Sequence, residues 1–154
     1  MTSRRLVEGN RAVSGILLLG ACLAFLLAGC GADQPYGLIP VSGTVTYEDG
    51  SLVPAAQIVV TFVPQAEPVD AKTYPRPGMA QVNLADGTFA NVTTYEFADG
   101  AIVGENKVTI KAVDKDENPT GGVPPEYTDV ATTPLEVTVS RDNKVFDFKI
   151  PKPK

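Results

Sequence analysis

The stretch VSGTVTYEDGS, residues 41–51, decides the fold of this chain. Its apolar and small residues fall on every second position, and hydroxyl-bearing residues stand between them. A period of two is typical of a strand with one buried face. The segment 48–51 that follows predicts a turn, because Gly50 can adopt a positive φ at no steric cost.

The same alternation recurs along the rest of the chain, and no stretch supports a helix of useful length. It is clearest where Val108, Ile110 and Ala112 alternate with polar residues. The predicted strands are 41–47, 58–62, 80–84, 88–95, 107–113, 135–139 and 145–150. Seven short strands without helices predict an all-β fold, an antiparallel β-sandwich of two sheets.

Two long segments interrupt the strands and are rich in proline, which cannot donate a hydrogen bond to a sheet. They are Pro64–Pro77 and Asp114–Pro134. We expect both to be surface loops that form the working surface of the sandwich, because rigid β-scaffolds commonly present ligand contacts on loops. A shorter break is expected at 97–101.

The N-terminus has the pattern of a secretory signal, with three arginines followed by an apolar run over 12–28. At its end, Leu27, Ala28, Gly29 and Cys30 resemble the lipobox of bacterial lipoproteins, in which a peptidase recognises the leucine and the two small residues. The resemblance implies that Cys30 is alkylated by diacylglycerol and becomes the first residue of the mature protein. Two or more acyl chains anchor a protein stably to a bilayer.

This signal predicts an extracytoplasmic protein of the bacterial cell envelope. Gly31 stands where some bacteria use an aspartate for inner-membrane retention, so the outer membrane or cell surface is favoured. An uncleaved signal anchor is the alternative, although about 17 apolar residues is short for a span. The paired Arg4 and Arg5 leave open general secretory or twin-arginine export.

The chain therefore divides into a signal peptide (1–29), a lipidated cysteine with its tether (30–38), a β-sandwich domain (39–151) and a tail (152–154). Removal of residues 1–29 leaves ten basic and 17 acidic residues, a net charge of −7. Such a domain repels phosphate backbones, so no nucleic-acid partner is expected. Cys22 is removed and Cys30 carries lipid, so the mature chain has no disulfide.

Several motifs resemble carboxypeptidase regulatory-like domains, which are transthyretin-like sandwiches. The matching segments are Val41–Val45, Asp49–Gly50, Pro54–Ala56, Ile58–Val63, Ala85–Phe89 and Gly104–Ile110. Two positions depart from the family pattern, since Leu52–Ala55 displaces the usual proline and glycine and Asn106 stands where an aromatic residue is common. The resemblance implies a transthyretin-like or immunoglobulin-like sandwich in an extracytoplasmic setting, and it implies no reaction.

The sequence offers few residues that could carry out catalysis. The chain has no histidine, which removes the commonest general base and zinc ligand. The hydrolase branch of the transthyretin-like proteins relies on histidines and a C-terminal tyrosine motif that are missing here. We therefore expect no enzymatic activity and no cofactor.

Two weaker binding interpretations remain open. Asp114, Asp116 and Asn118 alternate as in the start of a calcium loop, but Pro119 replaces the required glycine. The five tyrosines offer a carbohydrate-stacking surface as an alternative to core packing. The sequence thus predicts a lipid-anchored envelope module with a non-enzymatic binding or structural role and an envelope protein or glycan as partner; the alternative is a carbohydrate- or calcium-binding module.

Overall fold

The computed structural model describes residues 34–153, which form an all-β domain with nine strands. The strands are β1 (Leu38–Ile39), β2 (Ser42–Tyr47), β3 (Gln57–Pro64), β4 (Gly78–Gln81), β5 (Thr88–Phe89), β6 (Ala101–Ile102), β7 (Gly104–Val113), β8 (Glu136–Val139) and β9 (Val145–Ile150). One 3-10 turn spans Pro125–Tyr127. No helix within residues 34–153 has the length and apolar character required to span a bilayer.

The strands form three sheets around one core, and the predicted all-β class is confirmed. A four-stranded antiparallel sheet has the order β4-β3-β7-β8. A three-stranded sheet, β5-β2-β9, lies on the other side of the core, and β1 pairs with β6 in a short ribbon. This is a sandwich-like arrangement.

Two details of the predicted sandwich are wrong. Each of the seven predicted strands overlaps an observed strand, but β1 and β6 bring the number to nine and form a third sheet where two were predicted. The sheets are also not all antiparallel, because β2 and β9 pair in parallel over six residues, from Ser42↔Val145 to Tyr47↔Ile150. Alternation reports which face of a strand is buried, and it carries no information on the direction of the partner strand.

Aromatic rings join the two larger sheets. Phe62 of β3 is fully buried, and its ring centroid lies 6.0 Å from those of Phe89 and Phe146 and 6.2 Å from that of Phe148. Phe62 belongs to the four-stranded sheet and the other three rings to the three-stranded sheet. Ring pairs at such distances contribute about 0.5–1.5 kcal/mol beyond their buried area, so this cluster is the centre of the core.

The strand registers define two ends of the sandwich. At one end lie the starts of β2, β4, β7 and β9 and the end of β3, because Ser42 pairs with Val145 and Pro64 with Asn106. The described chain enters at this end, which we call the N-terminal end. The opposite end carries the turns 48–51, 82–87 and 114–118.

Candidate functional site

The first described residues are held against the N-terminal end of the sandwich. The Tyr36 hydroxyl donates toward the carbonyl oxygens of Thr73, at 3.1 Å, and Glu67, at 3.2 Å. It also accepts the backbone N–H of Val69 at 3.1 Å. One side chain therefore fixes the proline-rich loop 65–77 beside the entering chain, and part of the segment predicted as a tether is docked on the sandwich.

The loop 94–100 packs against the entering chain at Ile39. Gly100 has φ +108, and a Cβ atom built on it would overlap the carbonyl oxygen of Ile39. The backbone N–H of Val103 donates to the Gly37 carbonyl at 3.0 Å, just beyond the β1–β6 pairs. Only glycine combines this close approach with a positive φ.

Asp99 organises this loop from within. Its carboxylate accepts three backbone N–H groups, from Thr94 at 2.7 Å, Tyr95 at 2.9 Å and Glu96 at 2.8 Å. Burial by itself raises the pKa of Asp99, but these amide hydrogen bonds outweigh it and hold the pKa below its usual value. The loop is thus an ordered turn that directs the intervening Phe97 outward.

Replacement of Asp99 with alanine is expected to lower the free energy of unfolding by about 1–2 kcal/mol at neutral pH, because three amides lose their acceptor. The folded pKa is depressed, so the contribution is present above the unfolded pKa of about 3.9 and is lost as the pH falls through the folded value. Denaturant unfolding measured from neutral pH to below pH 4 checks this. Asp142→Ala, at an exposed aspartate, is the control; an equal loss in both variants would contradict the assignment.

Asn106 is a buried polar residue whose role sequence reasoning missed. Its Nδ2 donates to the carbonyl oxygens of Ile102, at 2.9 Å, and Gly104, at 3.0 Å, while its Oδ1 is buried without a partner. These bonds hold the bend between β6 and β7, where Gly104 has φ +108. Asn106 therefore helps to fix the N-terminal end, and its departure from the aromatic expected by resemblance has a structural use.

The two predicted working loops lie mostly apart. Loop 65–77 is at the N-terminal end, whereas 114–134 starts at the opposite end and runs along the edge of β7 that is not paired with β3. There the backbone N–H of Thr120 donates to the Ala112 carbonyl, and the Thr133 hydroxyl donates to the Val108 carbonyl. They approach each other at one depression of about 460 Å³, lined by Pro77 from the first loop and Thr128–Val130 from the second. They do not form one continuous binding surface.

The long loop is packed in place and borders a cleft of about 510 Å³. Val123 is buried, Tyr127 packs against the core, and the Tyr47 hydroxyl donates to the Gly122 carbonyl at 2.7 Å. The cleft has largely apolar walls, with Lys111 and Asp129 as its charged residues. This composition offers a largely apolar contact surface that carries one cation and one carboxylate.

The calcium interpretation finds no support in the described geometry. Asp114 Oδ1 accepts the backbone N–H groups of Asp116, at 2.8 Å, and Asn118, at 2.9 Å, so it closes a turn on its own chain. Within residues 34–153, no three acidic, histidine or cysteine side chains gather where they could hold a metal ion. Calcium takes six to eight oxygen ligands, and the calcium interpretation of this turn stays a prediction.

The tyrosines do not form a common stacking surface. Tyr47 is buried, Tyr36 and Tyr127 are half-buried, and the Tyr95 hydroxyl is buried. Tyr74 is the one tyrosine of the five whose side chain is mostly exposed. Their packing fits the structural use of tyrosine better than glycan stacking.

The lipidation site predicted at Cys30, with its recognition residues Leu27, Ala28 and Gly29, lies outside the described residues. The domain begins four residues after Cys30, at Gln34. No family model, curated protein or solved structure matches the chain. The carboxypeptidase regulatory-like resemblance stays a prediction.

Proposed function

We propose that this protein is a lipid-anchored β-sandwich module of the bacterial cell envelope, with a binding or structural role and no enzymatic activity. The observation that carries the proposal is the sequence Leu27-Ala28-Gly29-Cys30 at the end of an apolar run, directly ahead of a folded domain that starts at Gln34. A lipobox has this position in lipoprotein precursors. Acyl chains on Cys30 then hold the domain at a bilayer surface.

Two further features support this role. The chain has no histidine, so the proton transfers that most hydrolases need have no usual carrier. The domain is also acidic, and its ordered loops and largely apolar cleft offer surfaces for contact with a partner. Both features favour a binding or structural module over an enzyme.

Replacement of Cys30 with alanine is expected to abolish incorporation of lipid into the protein, because no other residue of the lipobox offers a thiol for alkylation. The measurement is growth with a labelled fatty acid, followed by purification of the full chain and detection of the label. Cys22→Ala is the matched control, since Cys22 lies inside the apolar run and is expected to be removed. Label retained by Cys30→Ala, or absent from the unaltered protein, contradicts the proposal.

A further inference from the structure

Exposed apolar side chains gather at the N-terminal end of the sandwich. Phe97 is 84% exposed, Tyr74 61%, Val69 60% and Val103 43%. We call these four residues the apolar rim. A phenylalanine this exposed, on a turn held by a carboxylate and three amides, is not explained by packing inside the domain.

All four residues of the apolar rim belong to segments that are hydrogen-bonded to the entering chain or packed against it. The backbone N–H of Val69 donates to the Tyr36 hydroxyl. Tyr74 is the residue after Thr73, whose carbonyl accepts a hydrogen bond from the same hydroxyl. Val103 is hydrogen-bonded to Gly37. Phe97 stands three residues before Gly100, which lies against Ile39, so its Cα is within about 11 Å of that of Gly100.

The length of the preceding chain limits how far this end can be from Cys30. Tyr36 follows Cys30 by six positions, and a fully extended chain spans at most about 3.6 Å per residue, so the two Cα atoms lie within about 22 Å. Strand β7, with ten residues, gives the sandwich a length of about 30 Å. A lipid on Cys30 therefore limits the distance of the apolar rim from the bilayer more tightly than that of the opposite end.

The distribution of charge favours the same orientation. Six carboxylates lie in the turns of the opposite end, and the cations near them are Lys115, Lys149 and Lys152. The carboxylates are those of Glu48, Asp49, Asp86, Asp114, Asp116 and Glu117. Anionic headgroups repel such an end over roughly a Debye length, about 8–10 Å. The loops of the N-terminal end are closer to balance, with four cations, Lys72, Arg76, Arg141 and Lys144, against five carboxylates, Glu67, Asp70, Glu96, Asp99 and Asp142.

We propose that the apolar rim docks on the lipid surface that holds the anchor, with the Phe97 ring inserted at the level of the headgroups. The inference rests on the proposed lipidation of Cys30 and adds a second, non-covalent contact. Aromatic side chains favour this interfacial depth, because the ring leaves water while the backbone of the turn stays solvated. The contact fixes the orientation of the sandwich and leaves its opposite end facing away from the membrane.

The experiment uses the absence of tryptophan from the chain. The full lipidated protein is prepared as Phe97→Trp and, as a control at an exposed turn residue of the opposite end, as Leu84→Trp. Each is reconstituted in vesicles of phosphatidylethanolamine and phosphatidylglycerol, with or without nitroxide-labelled lipid. The Phe97→Trp emission is expected to shift to the blue and to fall about twofold or more with labelled lipid, because an interfacial ring contacts the quencher. The Leu84→Trp emission is expected to stay unchanged.

The possible outcomes distinguish the contact of the apolar rim with lipid from the lipid anchor on Cys30. Protein that sediments with vesicles but shows Phe97→Trp emission insensitive to labelled lipid and quenched by iodide overturns the rim contact and leaves the anchor standing. Emission protected from both quenchers means that a second copy covers the rim, which also overturns the lipid assignment. Protein that stays in the supernatant overturns the anchor and the rim contact together.

Discussion

Replacement of Phe62 with alanine is expected to lower the free energy of unfolding by about 3–5 kcal/mol. Phe62 is fully buried and contacts the rings of Phe89, Phe146 and Phe148 across the core. Its truncation leaves a cavity between the two larger sheets in addition to the lost burial of the ring. Chemical denaturation, followed by far-UV circular dichroism, measures the change.

Phe62→Leu is the matched control, because it keeps an apolar side chain in the same space and is expected to cost less than half as much. A second comparison is Met79→Ala, at a residue that is 55% exposed on a neighbouring strand. If Phe62→Ala cost no more than Met79→Ala, Phe62 would not be the centre of the core, and the packing of the two sheets described above would be wrong.

Replacement of Gly43 with alanine is expected to cost at least about 3 kcal/mol, at the upper end of overpacking effects. A Cβ on Gly43 would lie less than 2.5 Å from the carbonyl oxygen of Phe146, which is a backbone atom of the parallel partner strand. A flexible side chain could move aside, but the backbone of β9 can move only by breaking its pairing with β2. Thermal and denaturant unfolding measure the loss.

Gly37→Ala is the control for Gly43→Ala. A Cβ at Gly37 would meet a Val103 methyl at 3.6 Å, which is ordinary contact, and the backbone there has no positive φ. This variant is expected to be neutral within about 0.5 kcal/mol or slightly stabilising, because alanine restricts the unfolded chain. Equal effects of the two substitutions would show that the β2–β9 approach is looser than described.

Local patterns predicted the strands because alternation and turn chemistry act within a few residues. Gly50 has φ +80 and Gly87 φ +75, as the turns of the sequence require. The strand predicted over 88–95 ends after Phe89, since Asn91 adopts φ +55 and Asp99 captures the amides of 94–96. Those hydrogen bonds depend on a carboxylate several residues further along the chain, and the alternation of apolar and polar residues gives no indication of it.

The apolar rim could not be predicted from the sequence for a related reason. Phe97 falls in a predicted break, and the surface around it is assembled by segments far apart in the chain, through the Tyr36 and Gly37 hydrogen bonds. The parallel pairing of β2 with β9 likewise joins residues about a hundred positions apart. The lipidation proposed at Cys30, in contrast, rests on a four-residue motif whose meaning is local.

The central claim is that lipid on Cys30 holds this sandwich at a membrane. The most direct measurement is the intact mass of the full chain purified from its native membrane in detergent, with fragmentation of its N-terminal peptide. The account predicts a chain that begins at Cys30 and carries a diacylglyceryl group on the Cys30 sulfur. A chain that retains residues 1–29, or begins at Cys30 with an unmodified thiol, would contradict it.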